Sequence, residues 1–244
     1  PPKLIKSAKD IEGIRKSSQL TRKILTEITP LIKPGITTNK INEFVHDQTL
    51  AHGATPAPLN YRGFPKSCCT SINEVICHGI PSDRILKDGD IVNIDVTCIL
   101  DGYYGDASNM YAVGEISSTA KNLIEDTKKA LDIGIQQVKP LASSTDIGTA
   151  ISEFIRPKSY GIVREYGGHG IGKEFHEDPF IFHFKQKQKG MILLPNMVFT
   201  IEPMINLGTY KTKLLDDQWT VITQDNSLSA QWEHTVAVTE SGVE

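Results

Sequence analysis

Four carboxylates and one imidazole carry the chemistry legible in this 244-residue chain: Asp95, Asp106, His169, Glu202 and Glu233. Any one of them would pass as a solvated surface charge, but their settings argue otherwise. Asp95 lies in the apolar run IVNIDVTCIL, Glu202 in MVFTIEPMI, and Glu233 just before the strand-like TVAV. A buried ionised carboxylate is costly unless it is paired, hydrogen-bonded or bound to a cation. Acids embedded in apolar strands therefore need a common partner, and a pair of divalent metal ions is the simplest one. Oxygen-rich ligation with a single imidazole suits Mn, Fe or Co better than structural zinc. Two such ions hold a hydroxide at neutral pH and polarise a carbonyl, which is equipment for hydrolysis.

The segment holding the first two acids permits a geometric expectation. Asp101-Gly102 is a strong two-residue hairpin turn between strand-like runs, which sets residue 97 opposite residue 106. Side chains alternate along a strand, so Asp95 and Thr97 share a face. Asp106 then stands diagonal to Asp95, about 5–8 Å away at the Cβ atoms. A slip of one residue would turn one acid to the wrong face. His78 in ICHGIP and His176 in GKEFHEDP lie where Gly or Pro bends bring backbone close, and are candidates to donate hydrogen bonds to an amide or a developing oxyanion. His46, His52, His183 and His234 read as ordinary structural or surface residues, with His234 facing away from its neighbour Glu233.

The elements that must position these groups follow from periodicity. A helix starts at Ser7, with Asp10 completing a capping box. Ile11, Ile14, Leu20, Ile24, Leu25 and Ile28 then recur at helical spacing until Pro30. A second helix is predicted over 38–53, with Ile41, Phe44 and Val45 inward. Strands are predicted over 67–78, 91–100 and 103–113. Helices over 118–138 and 145–160 follow, each with a Ser or Thr cap. Strands then lie around Val163 and over 198–205, 219–223 and 233–238. The order of helices and strands repeats, and so do residues: ILKDGDIVNID (85–95) aligns with ILLPNMVFTIE (192–202), and CHGI (77–80) with GHGI (168–171). Each half would supply one His and two acids. The expected architecture is α+β, one domain over 1–244 built from two pseudo-symmetric repeats, about 7–114 and 115–240.

Composition narrows the setting. Hydrophobic residues make up 39%, charged residues 23%, and the net charge is −3, so the basic clustering of a nucleic-acid binder is missing. No apolar run nears the roughly 20 residues that span a bilayer, and the opening PPKLIKSAKDIEGIRKS has no apolar signal-peptide core. The Pro-Pro start is what removal of an initiator methionine, or a trimmed start, would leave. Cys68, Cys69, Cys77 and Cys98 have no metal-binding or redox spacing and read as reduced, buried thiols. A cytoplasmic protein is expected.

Taken together, NYRGFPKSCCTSINEVICHGIP, NIDV, YYGDAS, YGGHGIG, FHEDP, TIEP and QWEHTV resemble the type I methionine aminopeptidases from about residue 4 to residue 240. The resemblance implies a pita-bread fold, with a curved antiparallel sheet covered by helices, around two divalent ions. It implies that Asp95 chelates one ion alone, that Asp106 and Glu233 bridge both, and that His169 and Glu202 complete the other. His78 would contact substrate near the scissile amide, His176 would stabilise the tetrahedral intermediate, and Glu202 would shuttle the proton. A methionine pocket is implied at Tyr61, Phe64, Cys69, Phe175 and Trp219, where a thioether gains from aromatic contacts; without the resemblance these aromatics would read as core. A Na or K ion near Asn73, Val75 and Ser229 is a weaker implication. The expected function is removal of N-terminal methionine from nascent proteins when the next residue is small, by a monomer with transient ribosome association, no nucleic-acid specificity and no membrane. An Xaa-Pro peptidase shares the five ligands, although those relatives usually carry an additional N-terminal domain and lack the Tyr-Arg-Gly-Phe-Pro and Cys69 segment. A non-catalytic binder on the same scaffold would have lost ligands, and none is lost here.

Overall fold

The computed structural model describes residues 3–244; the Pro-Pro start lies outside them. Among the described residues there are four α-helices: α1 (Ala8–Glu27), α2 (Thr38–Ala51), α3 (Ser118–Gln136) and α4 (Thr145–Ile155). The strands of the first half are β1 (Thr55–Pro56), β2 (Cys69–Ile72), β3 (Val75–Cys77), β4 (Ile91–Leu100) and β5 (Tyr103–Ala112). Those of the second are β6 (Gly161–Ile162), β7 (Gly168–Gly170), β8 (Glu177–Ile181), β9 (Val198–Ile201), β10 (Met204–Asn206), β11 (Thr212–Leu214), β12 (Val221–Thr223), β13 (Ser229–Gln231) and β14 (His234–Ala237). All pairings between these strands are antiparallel.

Strand β4 is central in the first half, pairing with β5 along one edge and with β1 and β2 along the other. Its side chains alternate as a strand requires. Val92, Ile94, Val96 and Cys98 enter a core with Leu20, Ile24 and Leu25 of α1 and Ile41 and Val45 of α2, which leaves Asn93, Asp95 and Thr97 on the opposite face. In the second half β9 lies between β14 and β7. Phe199 and Ile201 of β9 pack with Leu123 and Leu131 of α3 and Ile147 and Ile151 of α4. A bridge between Ser108 of β5 and Glu233 stitches the two halves together. Helix α1 lies close on β5 because Gly105 has no side chain: a Cβ there would sit 2.4 Å from Ser18 N and 2.5 Å from Ser17 C.

The Ser7–Asp10 capping box forms in both directions. The strand predicted over 91–100 forms as β4 at the same bounds, and several other predicted elements are shortened or divided. Residues 67–78 make two strands, because Asn73 takes a left-handed conformation (φ 55°) that turns the chain. Residues 198–205 also divide, at Glu202-Pro203, where proline has no N–H for a ladder. Helix 145–160 ends at Ile155, just before Pro157, and Phe44 is only half-buried. Ser144 does not cap α4, since its hydroxyl accepts from Met191 N at 3.0 Å; Ser143 Oγ accepts the Thr145 N–H instead. No described helix is long and apolar enough to cross a membrane.

Candidate metal centre

Asp95 stands in the middle of β4 and Asp106 in β5, with Thr97 opposite Asp106 and Cys69 opposite Asp95. Both acids therefore occupy the face turned away from α1 and α2. His169 lies in β7, Glu202 follows β9 directly, and Glu233 precedes β14. The five residues from both halves meet here. Ligand atoms of Asp106, His169 and Glu233 all fall within 4.8 Å of one another. His169 Nε2 lies 3.4 Å from Asp106 Oδ2 and 3.4 Å from Glu202 Oε1.

Other side chains hold this arrangement. Thr97 Oγ1 donates to Asp106 Oδ1 at 2.8 Å. Thr200 Oγ1 donates to Glu202 Oε1 at 2.8 Å and accepts the His169 N–H at 3.0 Å. Gln231 Nε2 donates to Glu202 Oε2 at 3.0 Å. His183 Nε2 accepts the Glu202 N–H at 3.0 Å, and burial pushes this imidazole down to about 3, which keeps the accepting nitrogen unprotonated. His169 Nδ1 faces Gly170 O at 3.0 Å, an arrangement that directs the other ring nitrogen at the acids.

The electrostatics expose an unmet need for positive charge. Burial drives the carboxyls of Asp95 and Glu233 well above the usual carboxylate range, and the charge of Asp106 adds to both. Burial also raises Glu202, against the charge of His169. At Asp106 burial is outweighed by the hydrogen bond and charge of His169, so this carboxyl falls. Burial alone would lower His169; the bond to Asp106 and the charges of Glu202 and Asp106 raise it to about 9. The cluster thus takes up protons where a cation would serve. Glu233, only 1% exposed, has no hydrogen-bond partner on either carboxylate oxygen. Such groups are normally satisfied, and hard oxygen donors with one imidazole fit a divalent ion.

A cleft of about 690 Å³ opens over the cluster. Tyr61, Phe64, Cys69, Phe175 and Trp219 all line it, together with His78 and His176. Phe64 and Trp219 meet edge to face with ring centroids 5.2 Å apart. Phe175 stacks on His176 at 4.3 Å, and Tyr61 Oη hydrogen-bonds His176 Nδ1 at 2.8 Å. Burial of the ring, then the charge of His169, push His176 down to about 4. Burial likewise lowers His78, which adopts a left-handed backbone (φ 58°). The Cys69 thiol is driven well above its usual value by burial and the nearby charge of Asp95, so it remains neutral.

Asn73, Val75 and Ser229 lie outside the cleft. Ser229 N donates to Asn73 O at 3.0 Å, and the buried Ser229 hydroxyl has no partner. His46 bonds Ser67 Oγ, His52 bonds Gln48 O on its own helix, and His234 lines a separate cleft beside α1. Sequence reading passed over Thr97, Thr200, His183 and Gln231 as supports of the acids. For Thr97 the hairpin register was a usable signal. For Thr200 the spacing of two along β9 was another, since alternate strand residues share a face; His183 and Gln231 act on Glu202 from other segments, where spacing along the chain says nothing.

Metallopeptidase family M24 matches residues 12–240. Methionine aminopeptidase A of Synechocystis sp. is 52% identical over 239 residues, covering 98% of this chain and 94% of that protein. The crystal structure of methionine aminopeptidase from Rickettsia prowazekii superposes with a TM-score of 0.97 at 51% identity, covering 98% of this chain and 97% of that one. An X-Pro aminopeptidase from Thermotoga maritima shares the fold, with a TM-score of 0.76 at 23% identity, and this chain covers 61% of it. The architecture is accordingly the α+β pita-bread fold expected from the sequence. With a match over nearly the whole length in sequence and in backbone, the chain belongs to metallopeptidase family M24 and, within it, to the methionine aminopeptidases.

Proposed function

We propose that this protein is a metal-dependent hydrolase that removes N-terminal methionine from peptides and nascent proteins when the next residue is small. The observation that carries this reading is the unpartnered, buried Glu233 carboxylate beside Asp106 and His169, which themselves line an aromatic cleft, in a chain 52% identical to a methionine aminopeptidase. Asp95, Asp106, His169, Glu202 and Glu233 would hold two divalent ions, with Mn, Fe or Co the candidates. When bound, such ions polarise the scissile carbonyl and acidify the attacking water.

The chain's own residues do the rest. Glu202, its two oxygens held by Thr200 and Gln231, takes the proton from the water and returns it to the leaving amine. His176 is neutral at physiological pH. With Nδ1 engaged by Tyr61, its Nε2–H is free to donate to the developing oxyanion, and His78 donates near the scissile amide. Tyr61, Phe64, Cys69, Phe175 and Trp219 take the methionine side chain, where sulfur gains from aromatic edges. The confined cleft limits the size of the following residue. A Na or K ion beside Asn73, Val75 and Ser229 belongs to the same proposal. So do the reading of 1–244 as one catalytic domain with two pseudo-repeats, a cytoplasmic monomer, and transient ribosome association.

The test strips metal from the protein and compares Met-Ala-Ser with Ala-Pro-Ser while Mn, Fe or Co is restored. Metal-dependent release of methionine from the first peptide alone is expected. Cleavage of the Ala-Pro peptide alone would move the protein to the Xaa-Pro branch, and no cleavage by folded, metal-loaded protein would refute the peptidase reading.

A further inference from the structure

The turn that presents Phe175 and His176 to the cleft is tied to the far end of the chain. Glu177, the first residue of β8, has a side chain only 2% exposed, and both its oxygens are used. Oε1 accepts the Glu174 N–H at 3.1 Å, closing the turn 174–177 on itself. Oε2 accepts from Lys6 Nζ, whose side chain is 6% exposed. Lys6 is in turn fixed in three directions. Its ammonium donates to Lys3 O at 2.6 Å, its backbone N–H donates to Asn196 O at 2.9 Å, and its carbonyl accepts from Asn196 Nδ2 at 3.1 Å. Gly172 gives the pair room, since a Cβ there would lie 2.9 Å from Lys6 Cε and 3.2 Å from Glu177 Oε1. Gly172 O also accepts from Tyr104 N at 2.8 Å, next to the β4–β5 turn.

A buried ion pair is a poor way to gain stability, because apolar residues of the same volume often do as well or better. What it supplies is a fixed direction. Here that direction holds the turn 174–177 closed, with Phe175 and His176 at its tip.

We infer that Lys6 and Glu177 are positioning residues, an ion pair by which the segment before α1 locks the Phe175–His176 turn over the cleft. For its kinetic readout this rests on the peptidase reading above; its structural readout does not. The variants are Lys6→Met, the milder Glu177→Gln, which retains an oxygen for the Glu174 N–H, and the two combined. Lys6→Met leaves a lone buried carboxylate and lowers the melting temperature. The double variant leaves no lone charge, so its melting temperature returns toward the parent value. Amides 172–177 nevertheless exchange hydrogen at least tenfold faster in it, and kcat/KM for Met-Ala-Ser falls at least tenfold, kcat falling more than KM rises, at unchanged metal content by elemental analysis. A merely stabilising pair would not leave a thermally recovered protein slow. Parent-like exchange with kcat/KM within twofold in the double variant overturns the inference, as does loss of its metal, which would assign the pair to the metal centre instead. A parent that cleaves no methionyl peptide, but whose 172–177 amides are protected and lose protection in the double variant, refutes the peptidase reading and sustains this one.

Discussion

Glu233→Gln should separate the two roles of the acid cluster by moving stability in opposite directions with and without metal. Both oxygens of Glu233 are buried and unpartnered, and an unmade buried polar contact costs about 1–3 kcal/mol. Whether the metal-free protein carries that cost as a charge or as a proton taken up at neutral pH, glutamine relieves it. The amide has nearly the same volume and can donate to neighbouring carboxylates. For a chain of this size about 1 kcal/mol corresponds to about 2–4 °C, so the melting temperature in chelator should rise by about 2–12 °C. Restored Mn at about a hundred times its dissociation constant should stabilise the parent by about 2.7 kcal/mol, or about 5–11 °C, and the variant by much less. Scanning calorimetry in chelator and then in Mn reads both effects. A variant that melts at or below the parent in chelator, and that still gains the parent's full increment from Mn, would refute the reasoning.

Two further outcomes follow from the fold. Gly105→Ala drives a methyl group into the backbone of Ser17 and Ser18, so α1 must lift from β5; a loss of about 1–3 kcal/mol from overpacking should appear as a lower urea midpoint at unchanged slope. The Asp10 carboxylate is held at about 2, against 3.8 for the free group, chiefly by the Ser7 backbone N–H. Because the folded value is the lower one, its stabilisation is complete above pH about 4 and is lost as pH falls through 2. That contribution is on the order of 1–2 kcal/mol, and the stability gap between parent and Asp10→Asn should close over this range in acid titrations followed by circular dichroism.

The first two acids of the cluster were legible because two local rules suffice for them. A two-residue turn at Asp101-Gly102 dictates the register of β4 on β5, and alternation then carries Asp95 and Asp106 to one face. The capping box at Ser7 is equally local. What stayed hidden depends on distant parts of the chain. Strands β7 and β13 are three residues long, too short for periodicity to show, and β7 is glycine at both ends. His183, among phenylalanines, looked like an ordinary core histidine. Its contact with the Glu202 N–H exists only because β8, which it follows, and β9 both flank β7. Which hydroxyl caps α4 was equally hidden, because Ser144 serves the strand-like segment at Met191 and leaves the Thr145 N–H to Ser143.

The seam between the halves has a consequence for how the activity arises. Asp95 and Asp106 belong to the first half and His169, Glu202 and Glu233 to the second, and the halves are joined where Asn93 Nδ2 donates to Gln231 O, 138 positions away. Contacts so remote in sequence form late in folding, since the intervening loop must be closed first. A chain still emerging from synthesis therefore holds acids but no centre. The protein stays chemically silent until nearly its last strand is in place, and a fragment cut anywhere between Asp106 and His169 should be inert until its complement is supplied.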